Sequence, residues 1–359
     1  MKRFIYTTIA LAAVAVGCTK SNIVDVPEVQ KTPITFETYN GKTPVTKATD
    51  VTQATFEAST QAAPAFNVKA FKPNGEGYMN ENVWCETKAT ESTKATWKYD
   101  GLTYWPGDGS SLTFAAYGLN AASNVSLSSD GKTLTYTVPP IASSHADLVV
   151  ATPVTQAATA GGTVSLEFKH VLSRVGFRLT TIGSGTSVKI NNVILNGLFK
   201  NKGTVALNEG ATITPTDETT LSYSLFDEGE GPFVTDGTTA LTEAPIHSGT
   251  EANRYMMIIP GEVQDNSWDD PMISSKVGTD PYIYVDYELG GEERQAYIPL
   301  LDTVIADDDS ESKVNWNFEA GKAYEFIFEV SISQIKFTGV VEDWDEDHTD
   351  NTTDMNDMK

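Results

Sequence analysis

The chain predicts an all-β fold arranged as two sandwiches, and three observations carry that prediction. Apolar residues step by two along most of its length, the period of a strand with one buried face. Gly, Asn, Asp and Pro punctuate those runs at short intervals, as turns require. No sustained run keeps helical spacing. At roughly 150 residues per domain, a length of 359 residues corresponds to about two domains.

The elements follow in order. Lys2 and Arg3 precede the apolar run Phe4 to Val16, the layout of a secretory signal and too short to span a bilayer. The run ends Ala15-Val16-Gly17-Cys18, which resembles the bacterial lipoprotein cleavage box. Residues 1–17 are therefore expected to be a signal peptide, with Cys18 as the lipidated first residue of the mature chain. Acyl chains at about 0.8 kcal/mol per buried methylene would hold that end on the outer membrane. Residues 18–31 read as a polar tether. Ile34/Phe36, Phe66/Val68/Ala70, Leu112/Phe114/Ala116 and Leu134/Tyr136/Val138 then alternate within a first sandwich, residues 32–160.

Residues 152–163 are small and polar and read as an internal linker. Val164, Leu166 and Phe168 are expected to open a second sandwich, residues 161–345. Ile283/Val285/Tyr287/Leu289 is followed by Gly290-Gly291, a turn from which Ala296 to Leu300 can run back. Tyr324, Phe326, Phe328, Val330 and Ile332 hold one phase, whereas Ile335 and Phe337 hold the opposite one. A bulge or a change of sheet is expected near Ser333-Gln334. Residues 346–359 read as an acidic tail.

Composition excludes some functions. Twenty-five basic against forty-eight acidic residues give a net charge of −23, which repels nucleic acid and anionic lipid headgroups. Once Cys18 is lipidated, Cys85 is left alone, and with no His near it in sequence it reads as a small buried hydrophobe. His170 shares the inward phase of Val164, Leu166 and Phe168 and is expected to be neutral and bonded to backbone. His145, His247 and His348 lie among polar stretches without zinc-ligand spacing.

Gly41-Lys42-Thr43 and Gly131-Lys132-Thr133 lack the upstream glycine of a phosphate loop and read as turns. Asp343, Asp345, Asp347 and Asp354 mimic a calcium loop, but His348 stands at its obligatory glycine, so a solvated tail is expected. Asp307-Asp308-Asp309 reads the same way. No metal, cofactor or catalytic residue is expected. Tyr282 and Tyr284 oppose the core phase and suit either a sugar or protein contact or burial under a second layer.

Ordered landmarks run through nearly the whole chain: the Cys18 box, Ile34-Thr35-Phe36, Thr46-Lys47-Ala48-Thr49 and Phe66-Asn67-Val68. Tyr104-Trp105-Pro106, Leu112-Thr113-Phe114, Ala146-Asp147-Leu148 and Phe168-Lys169-His170-Val171-Leu172-Ser173 follow. Met257-Ile258-Ile259-Pro260, Ala320-Gly321-Lys322-Ala323-Tyr324 and Val341-Glu342-Asp343-Trp344 complete the series. In this the chain resembles the fimbrillins, subunits of Bacteroidetes-type surface fimbriae.

The resemblance implies two transthyretin-like β-sandwiches, export as a lipoprotein, and polymerisation by strand exchange into adhesive fimbriae. Ile34 and Phe36 would lie on a displaceable strand within a removable leader, residues 32–47, cut between Lys47 and Ala48. Lys47 stands where the family usually has arginine, so the cutting protease would have to be trypsin-like or lysine-specific. Ile332, Ile335, Phe337, Val340 and Val341 are the candidate donor residues, or else a native strand that never exchanges. The implied partners are other fimbrial subunits, a host or bacterial surface receptor, and the membrane before processing. Asp302-Thr303-Val304 resembles the short O-glycosylation signal of such bacteria. An uncut chain would instead serve as an anchor or tip subunit, or as a monomeric surface lipoprotein binding glycan or host protein.

Overall fold

The computed structural model describes residues 31–39, 51–158, 162–182, 187–216, 219–235, 237–238, 240–241, 244–247, 254–265, 280–305, 311–331, 335–344 and 353–354. Its strands in the first half are β1 (Thr35–Tyr39), β2 (Phe66–Phe71), β3 (Gly77–Thr87), β4 (Thr96–Tyr99) and β5 (Leu112–Gly118). They continue with β6 (Val125–Leu127), β7 (Thr133–Thr137), β8 (Val149–Ala151), β9 (Val154–Gln156) and β10 (Thr163–His170). A short α-helix, α1 (Gln53–Glu57), begins at a Thr52 cap whose hydroxyl accepts from the Thr55 N–H.

An eight-stranded sheet runs β1-β10-β8-β5-β2-β3-β4, with β9 added on β5. Alternation decides its faces. In β10 the pattern is strict: Val164, Leu166, Phe168 and His170 are buried and the residues between them are exposed. Ile34, Phe36, Phe66, Val68, Phe114, Leu166 and Phe168 share one core. Phe66 and Phe168 lie 5.2 Å apart between ring centres, and Phe56 of α1 meets Phe168 edge-on at 4.9 Å. In β5 nearly every residue is buried, because Ala115 and Tyr117 on its other face join a second, larger core.

The second half contributes β11 (Ser173–Thr181), β12 (Val188–Lys200), β13 (Lys202–Ala206), β14 (Thr214–Pro215), β15 (Thr219–Ser224) and β16 (Phe233–Val234). Next come β17 (Ala244–Pro245), β18 (Met256–Ile258), β19 (Gly261–Glu262), β20 (Tyr282–Leu289) and β21 (Glu292–Pro299). The last are β22 (Leu301–Ile305), β23 (Glu311–Asn315), β24 (Asn317–Phe318), β25 (Lys322–Val330), β26 (Ile335–Asp343) and β27 (Thr353–Asp354). A sheet β17-β11-β25-β26-β27, with β18 on β11, and a sheet β15-β12-β20-β21, with β16 on β12, both feed the larger core.

Three expectations change here. β10, expected to open a second sandwich at residue 161, pairs instead with β1 and β8 of the first sheet. The expected linker at 152–163 carries β9, which pairs with β5 at Leu112, Thr113 and Phe114. The two halves also share a sheet, β14-β13-β7-β6, in which Lys202–Ala206 pairs with Thr133–Thr137. The chain therefore passes from the first sheet to the next at Val171 and Leu172.

The phase change near residue 333 has a different cause from the expected one. Val330 pairs with Ile335 and the register runs back to Lys322 and Asp343, so the two phases belong to two strands of one antiparallel hairpin. The Gly290-Gly291 turn is as predicted: both glycines take positive φ, 61° and 86°, and β20 and β21 pair from Leu289 and Glu292 outward.

Candidate assembly site

β1 lies at the end of the first sheet's strand order and pairs parallel with β10, from Thr35 opposite Thr163 to Tyr39 opposite Glu167. Alternation drives Ile34 and Phe36 inward, and both are buried. The Phe36 ring meets Tyr99 at 5.8 Å, Phe114 at 6.2 Å and Phe66 at 6.5 Å, each edge-on. The sheet rolls so that β4 comes close to β1 without forming a ladder with it. Instead, the Tyr99 hydroxyl donates to the Ile34 carbonyl at 2.9 Å. Lys94 Nζ lies 2.6 Å from Glu37 Oε2, and that contact holds the Glu37 carboxyl below its usual pKa.

The entry to β1 is closed by a set of residues that the alternation pattern does not disclose. Gly162 sits at φ 67°, and a Cβ there would fall 2.0 Å from the Pro33 carbonyl oxygen, so only glycine fits. Its own carbonyl accepts from the Thr35 N–H at 3.0 Å and from Trp105 Nε1–H at 3.2 Å. Ile34 N–H donates to Thr103 O, and Trp105 N–H donates to Thr32 O. The glycine pair at 161–162 and the Trp-Pro dipeptide were the only available sequence signals for this clasp. Withdrawing β1 would bare the N–H and C=O groups of β10 together with the aromatic floor beneath Phe36.

The other candidate element, β26, is a native strand of its own sheet. It pairs with β25 over nine residue pairs, and β25 in turn runs parallel to β11. Among the described residues, its far side meets only β27, at Val340 and Val341. Ile335, Phe337 and Val341 are partly buried against the larger core, and Phe337 meets Phe328 at 5.1 Å. Val340 is half-buried and, one residue out of phase with Val341, belongs to the other face. Ile332, Lys47, Ala48 and Cys18 lie outside the described residues, as do Asp307 to Asp309, Asp345, Asp347, His348 and Gly41-Lys42-Thr43.

Several of the residues weighed for chemistry are buried. His170 is buried as expected, but its Nδ1 lies 2.9 Å from Asp147 Oδ2, so a carboxylate faces it. His145 is buried too, although its sequence context is polar. The Met257 N–H donates to its Nδ1 at 2.8 Å and its Nε2 lies 2.7 Å from the Pro139 carbonyl, which fixes one neutral tautomer. Burial lowers its pKa to about 4. Cys85 is a free, buried thiol whose pKa is raised by desolvation. Tyr282 is buried and bonded to Asn196, and Tyr284 is half-buried against Tyr297 at 5.2 Å.

Gly131-Lys132-Thr133 is a turn, with Gly131 at φ 69°. Thr303 lies on β22, opposite Lys313. Among the described residues no group of three or more His, Cys, Asp and Glu side chains could hold a metal ion. A cleft of about 630 Å³ beside α1 is lined by residues such as Val51, Phe56, Asn82 and Asn120, none of them titratable.

A sequence profile of fimbrillin-like proteins matches residues 46–344. The match opens beside Lys47, leaves β1 outside, and closes at Trp344. Among solved structures, the chain is similar to a fimbrial protein from Bacteroides vulgatus, with a TM-score of 0.53 and 18% identity over 87% of this chain and 99% of that one. It is also similar to a candidate cell adhesion protein from Bacteroides uniformis, with a TM-score of 0.50 and 17% identity over 89% and 99%. At these identities the likeness is one of fold. No curated protein sequence gives a significant match. The profile spans most of the chain, and on that ground the chain belongs to the fimbrillin-like family.

Proposed function

We propose that this chain is a structural subunit of surface fimbriae that serve cell adhesion. In this reading it is exported as a lipoprotein on Cys18 and polymerises by strand exchange with other fimbrial subunits. The observation that carries the reading is the way β1 is held. Among the described residues it is laddered to β10 on one edge only, yet it plugs Ile34 and Phe36 into the core. Hydrolysis of the Lys47–Ala48 peptide bond would leave β1 on a separate peptide, free to depart. The groove left behind offers an unpaired β10 edge and an apolar floor, and an incoming extended strand satisfies both. Contacts of that kind, head to tail and unclosed, build a filament.

The donor is the C-terminal strand, with Ile332, Ile335, Phe337, Val340 and Val341 as its candidate groove-filling residues. A chain that kept its leader would stay on the membrane as an anchor. The reading of a monomeric glycan-binding lipoprotein loses its main observation, because Tyr282 is buried and Tyr284 half-buried. The role is structural rather than enzymatic. The test compares chains that begin at Cys18 and at Ala48. The shorter chain is expected to form head-to-tail polymers, and persistence as a monomer with its C-terminal strand intact would refute the reading.

A further inference from the structure

Trp344 directly follows β26 and is nearly fully buried, an unusual place for the residue that ends a segment proposed to leave. Its ring stacks on the His170 imidazole, with centroids 4.2 Å apart and planes 9° from parallel. The Arg174 guanidinium lies 5.2 Å from the same ring, and the Trp344 N–H donates to Gly321 O at 2.9 Å. Behind His170 stands Asp147, wholly buried, with Oδ2 2.9 Å from His170 Nδ1. The same Oδ2 accepts from the backbone N–H of Val51 at 2.9 Å. Val51 is three residues beyond Ala48. One carboxylate oxygen thus joins the backbone just after the cleavage sequence to the ring that seats the C-terminal strand, across ninety-six residues of sequence on the Val51 side.

We propose that Val51, Asp147, His170 and Trp344 form a relay that couples the N-terminal end of the processed subunit to the anchorage of its C-terminal strand. Its use in assembly rests on the strand-exchange reading, whereas the coupling itself does not. Asp147 and His170 are positioning residues, and Trp344 is the latch. Loss of order at Val51 removes a donor from the buried Asp147 carboxylate, and the His170 ring loses its fixed setting against Trp344. The latch is also poised to open. Trp344 Nε1 and Asp147 Oδ1 are buried without a hydrogen-bond partner among the described residues, and water would satisfy both on release. An uncut subunit would keep its donor strand seated, and a cut one would loosen it, so that donor and acceptor ends become ready together.

Hydrogen exchange on the full, uncut chain tests the coupling, and its result does not depend on whether the chain polymerises. Trp344→Ala is expected to speed exchange of the β26 amides about tenfold or more, and of the Val51 amide with them. The β20 and β21 amides should keep their protection, and Trp344→Phe, which retains a stacking ring, should restore both accelerated sets. Asp147→Ala, which removes both carboxylate oxygens, should free the Val51 amide and loosen β26 in the same way. Acceleration of β26 with Val51 unchanged would overturn the relay, as would no change at either place. Uniform acceleration across all sheets would overturn it too, marking Trp344 as an ordinary core residue.

Discussion

Phe36→Ala in the uncut chain probes the hold on β1. Phe36 is about 5% exposed and packs against Phe66, Tyr99 and Phe114. Truncating a buried phenylalanine costs about 3–5 kcal/mol, through lost transfer free energy and the cavity left behind. Truncating the wholly buried Ile34 would cost about 2–5 kcal/mol on the same scale. Phe36 and Ile34 thus seat β1 together, with contributions of similar size. If β1 detaches as a local unit, the undocked state should become more populated by a factor of about 10² to several times 10³, at roughly 1.4 kcal/mol per tenfold. Hydrogen exchange at the Thr35–Tyr39 amides should speed up by that factor, while β20 and β21 stay protected. Equal loss of protection in every sheet would show that β1 belongs to the cooperative core and cannot be displaced alone, which would refute the reasoning.

Three further outcomes are expected. Gly162→Ala forces a left-handed residue against Pro33 O and should loosen β1 by at least about 1–2 kcal/mol, seen as faster exchange at Thr35. His145 has a folded pKa of about 4 against an unfolded value near 6.5, so the unfolded chain takes up a proton first as pH falls between these values. Stability is thus complete above pH 6.5 and declines by about 3 kcal/mol toward pH 4, and urea midpoints of His145→Gln should lack that slope. Cys85, buried with a raised pKa, should react with a thiol reagent only at the rate of unfolding; rapid labelling of the native chain would contradict its placement.

How far the fold could be read from sequence differed by element. β10 was legible because its alternation is strict and one face meets solvent, as was the Gly290-Gly291 turn, whose two positive φ angles demand small residues. Its partners were not legible, since pairing with β1 and β8 is a long-range choice that the strand's own residues do not record. A reversal of phase at residue 333 has the same signature for a bulge as for a hairpin with an even loop, and the hairpin is what forms. His145 looked solvated because its neighbours in sequence are small and polar, whereas in the fold its ring meets Tyr223 and accepts from the Met257 N–H, both far along the chain. The candidate β1 strand stood out through Ile34 and Phe36, but its clasp at Gly162, Trp105 and Tyr99 is assembled from three separate loops and strands. The contacts of Asp147 and His170 are likewise set by tertiary packing alone.

The N-terminal residue of the protein in polymers sheared from intact cells tests the central claim most directly. Sequencing should find Ala48, with the leader bearing Ile34 and Phe36 gone from the filament. Polymers whose subunits begin at a lipid-modified Cys18, with β1 still attached, would contradict it.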